Sequence, residues 1–171
     1  MYTDYQQYIP ENFAPQSRVW VYQCNRMLAM SEALQIEPLL ENFVANWQSH
    51  SMPVKGFANL LFGQFIIVMA DETQTKVGGC STDSSVIVIK QIEQLFNVEM
   101  FNRQTLAFIV KDKIQMLPLQ QITYAIENGF INESTLFFNN LVATKKELLE
   151  QWILPAKDSW LATKFNFTPV N

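Results

Sequence analysis

Residues 57–71, with the sequence FANLLFGQFIIVMAD, decide the fold of this chain. They form two extended apolar runs, Phe57–Phe62 and Phe65–Asp71, and Gly63-Gln64 separates these runs. A two-residue connection that contains glycine is typical of a β-hairpin, because the primed turns require positive φ angles. The stretch therefore predicts two neighbouring antiparallel strands.

The segments on either side of the hairpin extend the pattern. Arg18–Cys24 (RVWVYQC) is rich in β-branched and aromatic residues and predicts a first strand that is covered on both faces. Ser31–His50 has apolar residues at three- and four-residue steps, which predicts a helix whose regular part Pro38 limits mostly to the residues after it. A second helix is expected from Asp83 to about Asn97, although its first half, SVIVIK, suits a strand equally well.

A fourth strand is predicted at Thr105–Val110 (TLAFIV), and a short fifth strand ends at Pro118. The order strand, helix, strand, strand, helix, strand is that of the split βαβ arrangement in a ferredoxin-like sheet. Strands one and two are then parallel, and strand three lies antiparallel between them. The expected fold class is α+β, with a ferredoxin-like βαββαβ sheet and additional C-terminal helices.

The length and composition are those of a folded domain. The chain has 171 residues, of which 49% are hydrophobic and 16% are charged, and this excludes intrinsic disorder. We expect a single domain over residues 1–171. Within it, we expect an irregular N-terminal arm at 1–17, an α/β sheet core at 18–117 and a helical part at 118–171.

Charge and cysteine content narrow the range of partners. A net charge of -4 with only 12 Lys and Arg residues argues against a nucleic-acid binder. No apolar run approaches the roughly 20 residues that span a bilayer, and no signal-peptide pattern opens the chain. Cys24 and Cys80 fit no zinc or disulfide pattern, so we predict two reduced thiols. These observations predict a cytoplasmic protein with no membrane partner, metal or cofactor.

The candidate site lies in residues 70–85, ADETQTKVGGCSTDSS. A glycine pair lets the backbone approach a ligand, and the helix that follows presents free amides that suit a phosphate or carboxylate. The alternative is that glycines followed by Ser, Thr and Asp simply end a loop and begin a helix, while Asp71, Glu72 and Asp83 would repel an anion. The pattern GxxxxGK[ST] is absent, so this is not a P-loop. The candidate ligand-binding residues are Gly78, Gly79, Cys80, Ser81, Thr82 and Asp83.

A catalytic hypothesis uses the same segment. Cys80 precedes a predicted helix N-terminus, where a thiolate is stabilised, and the only histidine, His50, is expected at the same end of the sheet. With Asp71 to orient the histidine, Cys80 and His50 would form the site of a thiol-dependent hydrolase or transferase. A buried, inert cysteine is the structural alternative. Asp71 and Glu72 also resemble magnesium ligands, but no second acidic cluster accompanies them, and we interpret them as the solvated end of a strand.

Two functional hypotheses follow. The first is a non-catalytic domain that binds a small ligand or a protein partner at the rim formed by residues 71–85. The second is the thiol-dependent enzyme, so the sequence leaves open whether the protein is an enzyme. The weakly charged surface and the aromatic C-terminal part also predict a homodimer, formed through an open sheet edge or through the C-terminal helices.

A resemblance covers nearly the whole chain. The segments VWVYQ, FIIVMADETQT, VGGCSTDSSV, LFNVEMFNR and FNNLV are similar to a family of uncharacterised bacterial proteins, chiefly from Bacteroidetes, that often carry the label "ABC transporter ATPase". The chain has neither a Walker A lysine loop nor an LSGGQ signature. The resemblance therefore implies no activity, substrate or site residue for this sequence.

Overall fold

The computed structural model describes residues 2–168 and combines helices with open antiparallel sheets, which confirms an α+β fold. Two compact units are present. Unit 1 contains the described residues up to Phe101 together with Asn140–Leu149, and unit 2 contains Asn102–Asn139 and the described residues from Glu150 onward. The elements are β1 Arg18–Gln23, α1 Met30–Asn46, β2 Gln48–Ser49, β3 Met52–Pro53, β4 Lys55–Leu61, β5 Phe65–Asp71, α2 Gly79–Phe96, β6 Thr105–Val110, β7 Lys113–Pro118, α3 Ile122–Glu127, β8 Leu136–Phe138, α4 Lys145–Gln151, β9 Ile153–Pro155 and α5 Leu161–Lys164, with 3-10 helices at Tyr2–Tyr8, Leu119–Gln121 and Ala156–Asp158.

Unit 1 is built on a three-stranded sheet in the order β1-β5-β4. Strand β5 is antiparallel to both neighbours, so β1 and β4 are parallel to each other with β5 between them. This is the predicted split βαβ arrangement of the first three long strands. The hairpin turn is one residue longer than predicted, because Leu61 pairs with Phe65 and both Phe62 and Gly63 have positive φ angles.

One face of this sheet carries α1 and α2. Alternate residues of a strand point to opposite faces, and Ile66, Val68 and Ala70 of β5 share a buried cluster with residues from both helices. Burial of large aliphatic side chains is the main contribution to stability here, at about 1.5–3 kcal/mol for each one. The helical members of the cluster are Ile36, Leu40, Val88, Ile89 and Ile92.

The opposite face of the sheet is also covered. Phe65, Ile67 and Met69 of β5 are fully buried on that side. The ring of Phe13 contacts the ring of Phe57 on the same face, so the N-terminal segment lies against β4. Residues 2–8 of the segment that was predicted to be irregular form a 3-10 helix.

The segment 140–149 completes the cover of unit 1. The Tyr5 hydroxyl donates to the Leu148 carbonyl at 2.6 Å, and Lys145 Nζ donates to the Phe13 carbonyl at 2.7 Å. Two backbone hydrogen bonds join this segment to the outer edge of β1, from Val19 N to Ala143 O and from Lys145 N to Ser17 O. Two segments that are far apart in sequence, 2–17 and 140–149, therefore cover one face of the sheet and the start of its β1 edge.

The two long helices differ from their predicted limits. Helix α1 begins at Met30 and continues through Pro38. Pro38 and Leu34, whose carbonyl loses its i+4 donor, are both exposed, so water can reach the unpaired carbonyl. Helix α2 includes the ambiguous SVIVIK segment and begins at Gly79 rather than Asp83.

Unit 2 contains a separate four-stranded antiparallel sheet in the order β7-β6-β8-β9. The predicted strands at 105–110 and ending at 118 are confirmed as β6 and β7. Because β6 pairs with β7 and β8, and not with a strand of unit 1, the four-stranded ferredoxin-like sheet is not confirmed. Strands β8 and β9 lie in the region expected to be helical, and at three residues each they are too short to show an alternating pattern. The core of this unit consists of Phe108, Ile122, Ala125, Ile126, Ile131, Phe137, Ala156 and Leu161.

No helix among residues 2–168 is both long enough and apolar enough to cross a lipid bilayer.

The indole of Trp47 connects several elements of unit 1. Its Nε1 donates to the Ser81 carbonyl at 2.9 Å, which joins the end of α1 to the start of α2. Its ring packs against Phe43 and Trp20 and is 3% exposed. A Cβ atom on Gly56 of β4 would lie 2.6 Å from Trp47 Cε3, so only glycine leaves space for the indole.

We predict that Gly56→Ala destabilises the protein by about 1–3 kcal/mol, because the added methyl overlaps a ring that its own contacts hold in place. Replacing glycine by alanine in a strand ordinarily stabilises a protein, so a loss of stability here would indicate the overlap with Trp47. Urea unfolding measures it. Gly79→Ala is the matched control, since no heavy atom lies within 4 Å of the position its Cβ would take. Equal stability of the two variants would contradict the packing argument.

Candidate functional site

The candidate site is the loop after β5 together with the first turn of α2. Hydrogen bonds to residues 47–49 hold it in place. Besides the Trp47 hydrogen bond, the Ser81 hydroxyl donates to the Gln48 carbonyl at 2.9 Å. The amide of Gly78 donates to Ser49 Oγ at 3.4 Å. The short β2-β3 hairpin therefore fixes both the loop end and the start of the helix.

The glycine pair lies at the helix boundary. Gly78 is the N-cap residue of α2, and no side chain caps the helix by a hydrogen bond. Gly79 and Cys80 form the start of the first turn and are exposed. The first amides of a helix have no partner within it. In the described chain, no acceptor takes the amides of Gly79 and Cys80.

The hydroxyl groups of the segment do not line this turn as free donors. Thr82 Oγ1 donates to the Gly78 carbonyl at 3.2 Å, and Ser84 Oγ donates to the Cys80 carbonyl at 3.0 Å. Ser85 is buried and donates to the Thr82 carbonyl at 2.7 Å. In each of these bonds the acceptor is a carbonyl three or four residues earlier in the chain, so the hydroxyl protons are engaged within the helix and are not available to a ligand. Asp83, which the sequence placed at the start of the helix, is exposed in its second turn and does not cap it.

Asp71 is buried, although its position suggested the solvated end of a strand. It is 3% exposed, and its Oδ2 accepts hydrogen bonds from the Ala14 amide at 3.0 Å and from Lys55 Nζ at 3.2 Å. Its Oδ1 accepts one from the Thr73 amide at 3.0 Å. Burial alone would raise the pKa of Asp71, but these donors together hold the pKa of its carboxyl well below the ordinary value. The carboxylate therefore anchors the N-terminal segment.

Glu72 is held by a second cation. Its Oε1 accepts from the Val77 amide at 2.8 Å and lies 3.4 Å from Arg18 Nη1. The same guanidinium donates to the Val77 carbonyl at 3.2 Å and stacks over the Trp20 ring. Two of the three acidic residues expected to repel an anion from the glycine pair, Asp71 and Glu72, are thus paired with a basic side chain.

His50 lies beside the glycine pair, as its predicted position at the same end of the sheet implied. A Cβ atom on Gly78 would be 3.4 Å from His50 Nε2. His50 and Ser51 form the two-residue turn between β2 and β3, and both have positive φ angles. His50 is not among the hydrogen-bond partners of Asp71, so the proposed orienting carboxylate serves another purpose.

The two cysteines have different environments. Cys80 is exposed and free, whereas Cys24 is fully buried. Burial is the main cause that raises the pKa of the Cys24 thiol. Within residues 2–168, no group of three or more His, Cys, Asp or Glu side chains could hold a metal ion.

Sequence reasoning missed the residues that position the site. Trp47, Ser49 and Gly56 determine where α2 begins, yet no local pattern distinguishes a structural serine or glycine from any other. The one signal in the sequence was that Trp47 lies three residues before His50, at the end of the same predicted helix, and therefore near the candidate site. A cleft of about 440 Å³ in unit 2 was also missed, and it is lined mainly by α5 and residues 165–168.

We predict that Asp71→Asn lowers the free energy of unfolding by about 2–4 kcal/mol at pH 7, because it removes the charge that three donors share. A carboxyl whose pKa is depressed by folding contributes stability above its unfolded pKa, near 4, and loses it as the pH falls toward the folded value. The difference in the free energy of unfolding between the wild type and Asp71→Asn should therefore become smaller below about pH 4. Urea unfolding at two pH values measures it. Asp83→Asn, an exposed carboxyl on α2, is the control, and equal effects of the two changes would refute the anchor role.

Comparisons with known proteins add no relative: no family model, no curated protein and no solved structure matches this chain.

Proposed function

We propose that this protein is a non-catalytic binding protein whose α2 N-terminus takes a small anion, a phosphate or a carboxylate. The observation that carries the proposal is the open first turn of an 18-residue helix, which has neither a side-chain cap nor an acidic residue. Glycine is a common N-cap residue, but unlike Ser, Thr, Asp or Asn it brings no side-chain acceptor for the free amides, and no acidic residue stands in the first turn. A bound anion would supply the hydrogen-bond acceptor and the negative charge that this helix end lacks.

The physical basis is the positive end of the helix. Unpaired amides and the aligned peptide dipoles attract negative charge, typically by about 0.3–1 kcal/mol at an exposed end. The open space around the Cβ position of Gly79 lets an anion approach the backbone. His50 beside Gly78 and the exposed Lys76 are the side chains placed to assist.

The main argument against an anion site is repulsion by the nearby carboxylates, and the pairing of Asp71 and Glu72 with basic side chains weakens that argument. Lys55 neutralises Asp71 and Arg18 neutralises Glu72, so neither carboxylate presents an unpaired negative charge to the loop. Asp83 remains, but it lies one turn further along α2. We therefore expect binding that is weak, in the millimolar range, and sensitive to ionic strength.

The N-terminal amides of α2 provide the test. Titration with inorganic phosphate or acetate at constant ionic strength should shift the NMR signals of the Gly79 and Cys80 amides first, and phosphate should raise the melting temperature. We predict that Gly79→Val weakens this binding about tenfold or more, since the side chain covers the amides, while the fold is retained because the position is open.

Ser84→Val is the matched control, since it adds the same branched side chain to an exposed position one turn further along the helix. It should bind phosphate like the wild type. If the Gly79 and Cys80 signals do not move, or if Gly79→Val binds as tightly as Ser84→Val, the anion site is disproved. Unfolding of Gly79→Val without any phosphate effect on the parent would identify the loop as a structural turn.

A second candidate function is a thiol-dependent hydrolase or transferase. One observation favours it: the exposed Cys80 lies in the first turn of α2, and His50 lies beside Gly78, two residues earlier. A helix N-terminus stabilises a thiolate, and a neighbouring imidazole can accept its proton. The dyad would act without Asp71, whose oxygens are engaged elsewhere.

We predict for this alternative that His50→Gln slows the alkylation of Cys80 by iodoacetamide about tenfold at pH 7, because a paired base maintains the thiolate. Lys76→Gln is the control, since it removes a nearby positive charge without removing a base. Mass spectrometry separates the two thiols, and the buried Cys24 should stay unmodified in the native protein. Equal rates for the His50 and Lys76 variants would exclude the dyad.

We further propose a cytoplasmic location. It is supported by the two free cysteines, which suit a reducing compartment.

A further inference from the structure

We propose that the outer edge of β4 pairs with β4 of a second copy of this chain, antiparallel and across a two-fold axis, to form a continuous six-stranded sheet. This inference goes beyond the anion site and does not depend on it. It concerns residues Lys55–Leu61, which form one edge of the unit 1 sheet.

The first argument is that unit 1 covers both faces of this sheet and the start of its β1 edge with its own chain. Helices α1 and α2 cover one face, and residues 2–17 with 140–149 cover the other. The start of the β1 edge is also bonded, since Val19 N donates to the Ala143 carbonyl and Lys145 N donates to the carbonyl of Ser17, the residue before the strand. By contrast, within the described chain no group other than its partner strand β5 accepts from or donates to the backbone of residues 55–60.

The second argument is the absence of protective features on β4. Natural edge strands are usually guarded by charge, proline or a bulge. Residues 56–61 contain neither a charged residue nor a proline, and every residue of β4 is paired in register with β5. The one charge on the strand, Lys55, is directed to Asp71 and to the Asn12 carbonyl, so it does not guard the edge.

The third argument is self-complementarity. In an antiparallel pair with the two-fold axis at Ala58, Gly56 lies opposite Leu60 and Phe57 lies opposite Asn59. Ala58 lies opposite Ala58 of the second copy, Gly56 leaves room for Leu60, and no like charges meet. The surface therefore fits a second copy of itself in an isologous pair.

Sedimentation equilibrium of the full chain tests the proposal. We predict twice the chain mass at high micromolar concentration and a shift toward the monomer on dilution. Asn59→Lys should weaken the dimer about tenfold or more, because two lysines would lie about 7 Å apart diagonally across the axis. Gln115→Lys is the matched control, since Gln115 is also a half-buried polar residue on an edge strand, β7. It should leave the dimer unchanged.

Amide hydrogen exchange of the wild-type chain provides a readout that needs no variant. Exchange within residues 55–61 should slow as the concentration rises, while exchange within 113–118 stays constant. A monomer at all concentrations would overturn the proposal. So would a dimer that Gln115→Lys weakens, or one that protects β7 and not β4, because the interface would then belong to unit 2.

Discussion

The position of the Trp47 indole is the constraint on which the rest of unit 1 depends. Its ring fills the space above β4 that only Gly56 leaves open, and its N–H holds the first turn of α2 at Ser81. A large, flat and fully packed side chain can satisfy both conditions in only one orientation. The indole therefore sets the distance between the two helices and the sheet, and with it the location of the glycine pair.

Most polar side chains around the loop are engaged in contacts within the protein. Two basic side chains hold two carboxylates, and the hydroxyls of α2 bond to its own carbonyls. The backbone amides of Gly79 and Cys80 remain without an acceptor in the described chain. A site made of backbone amides can tolerate changes in many side chains, but it is sensitive to any residue that covers the amides.

The sequence predicted those elements whose signal is local. The alternation in Arg18–Gln23, the hairpin at 55–71 and the periodic residues of α1 are each contained in one segment, and the split βαβ order followed from them. The second sheet was not predictable in this way, because β6 could have joined either sheet and only long-range pairing decides. The burial of Asp71 is similar, since its partner Ala14 lies 57 residues away. Local patterns do not report such partners.

The dependence of unit 1 on residues 140–149 has a consequence for synthesis. During translation the first sheet can form its strands and receive its helices once about 100 residues have emerged, but the Tyr5–Leu148 contact spans 143 positions. Contacts so distant in sequence form late and slow the folding reaction. The face that carries Ile67 and Met69 would stay incompletely covered until residues 140–149 have left the ribosome, so the nascent protein passes through a long interval in which chaperone binding competes with its own closure.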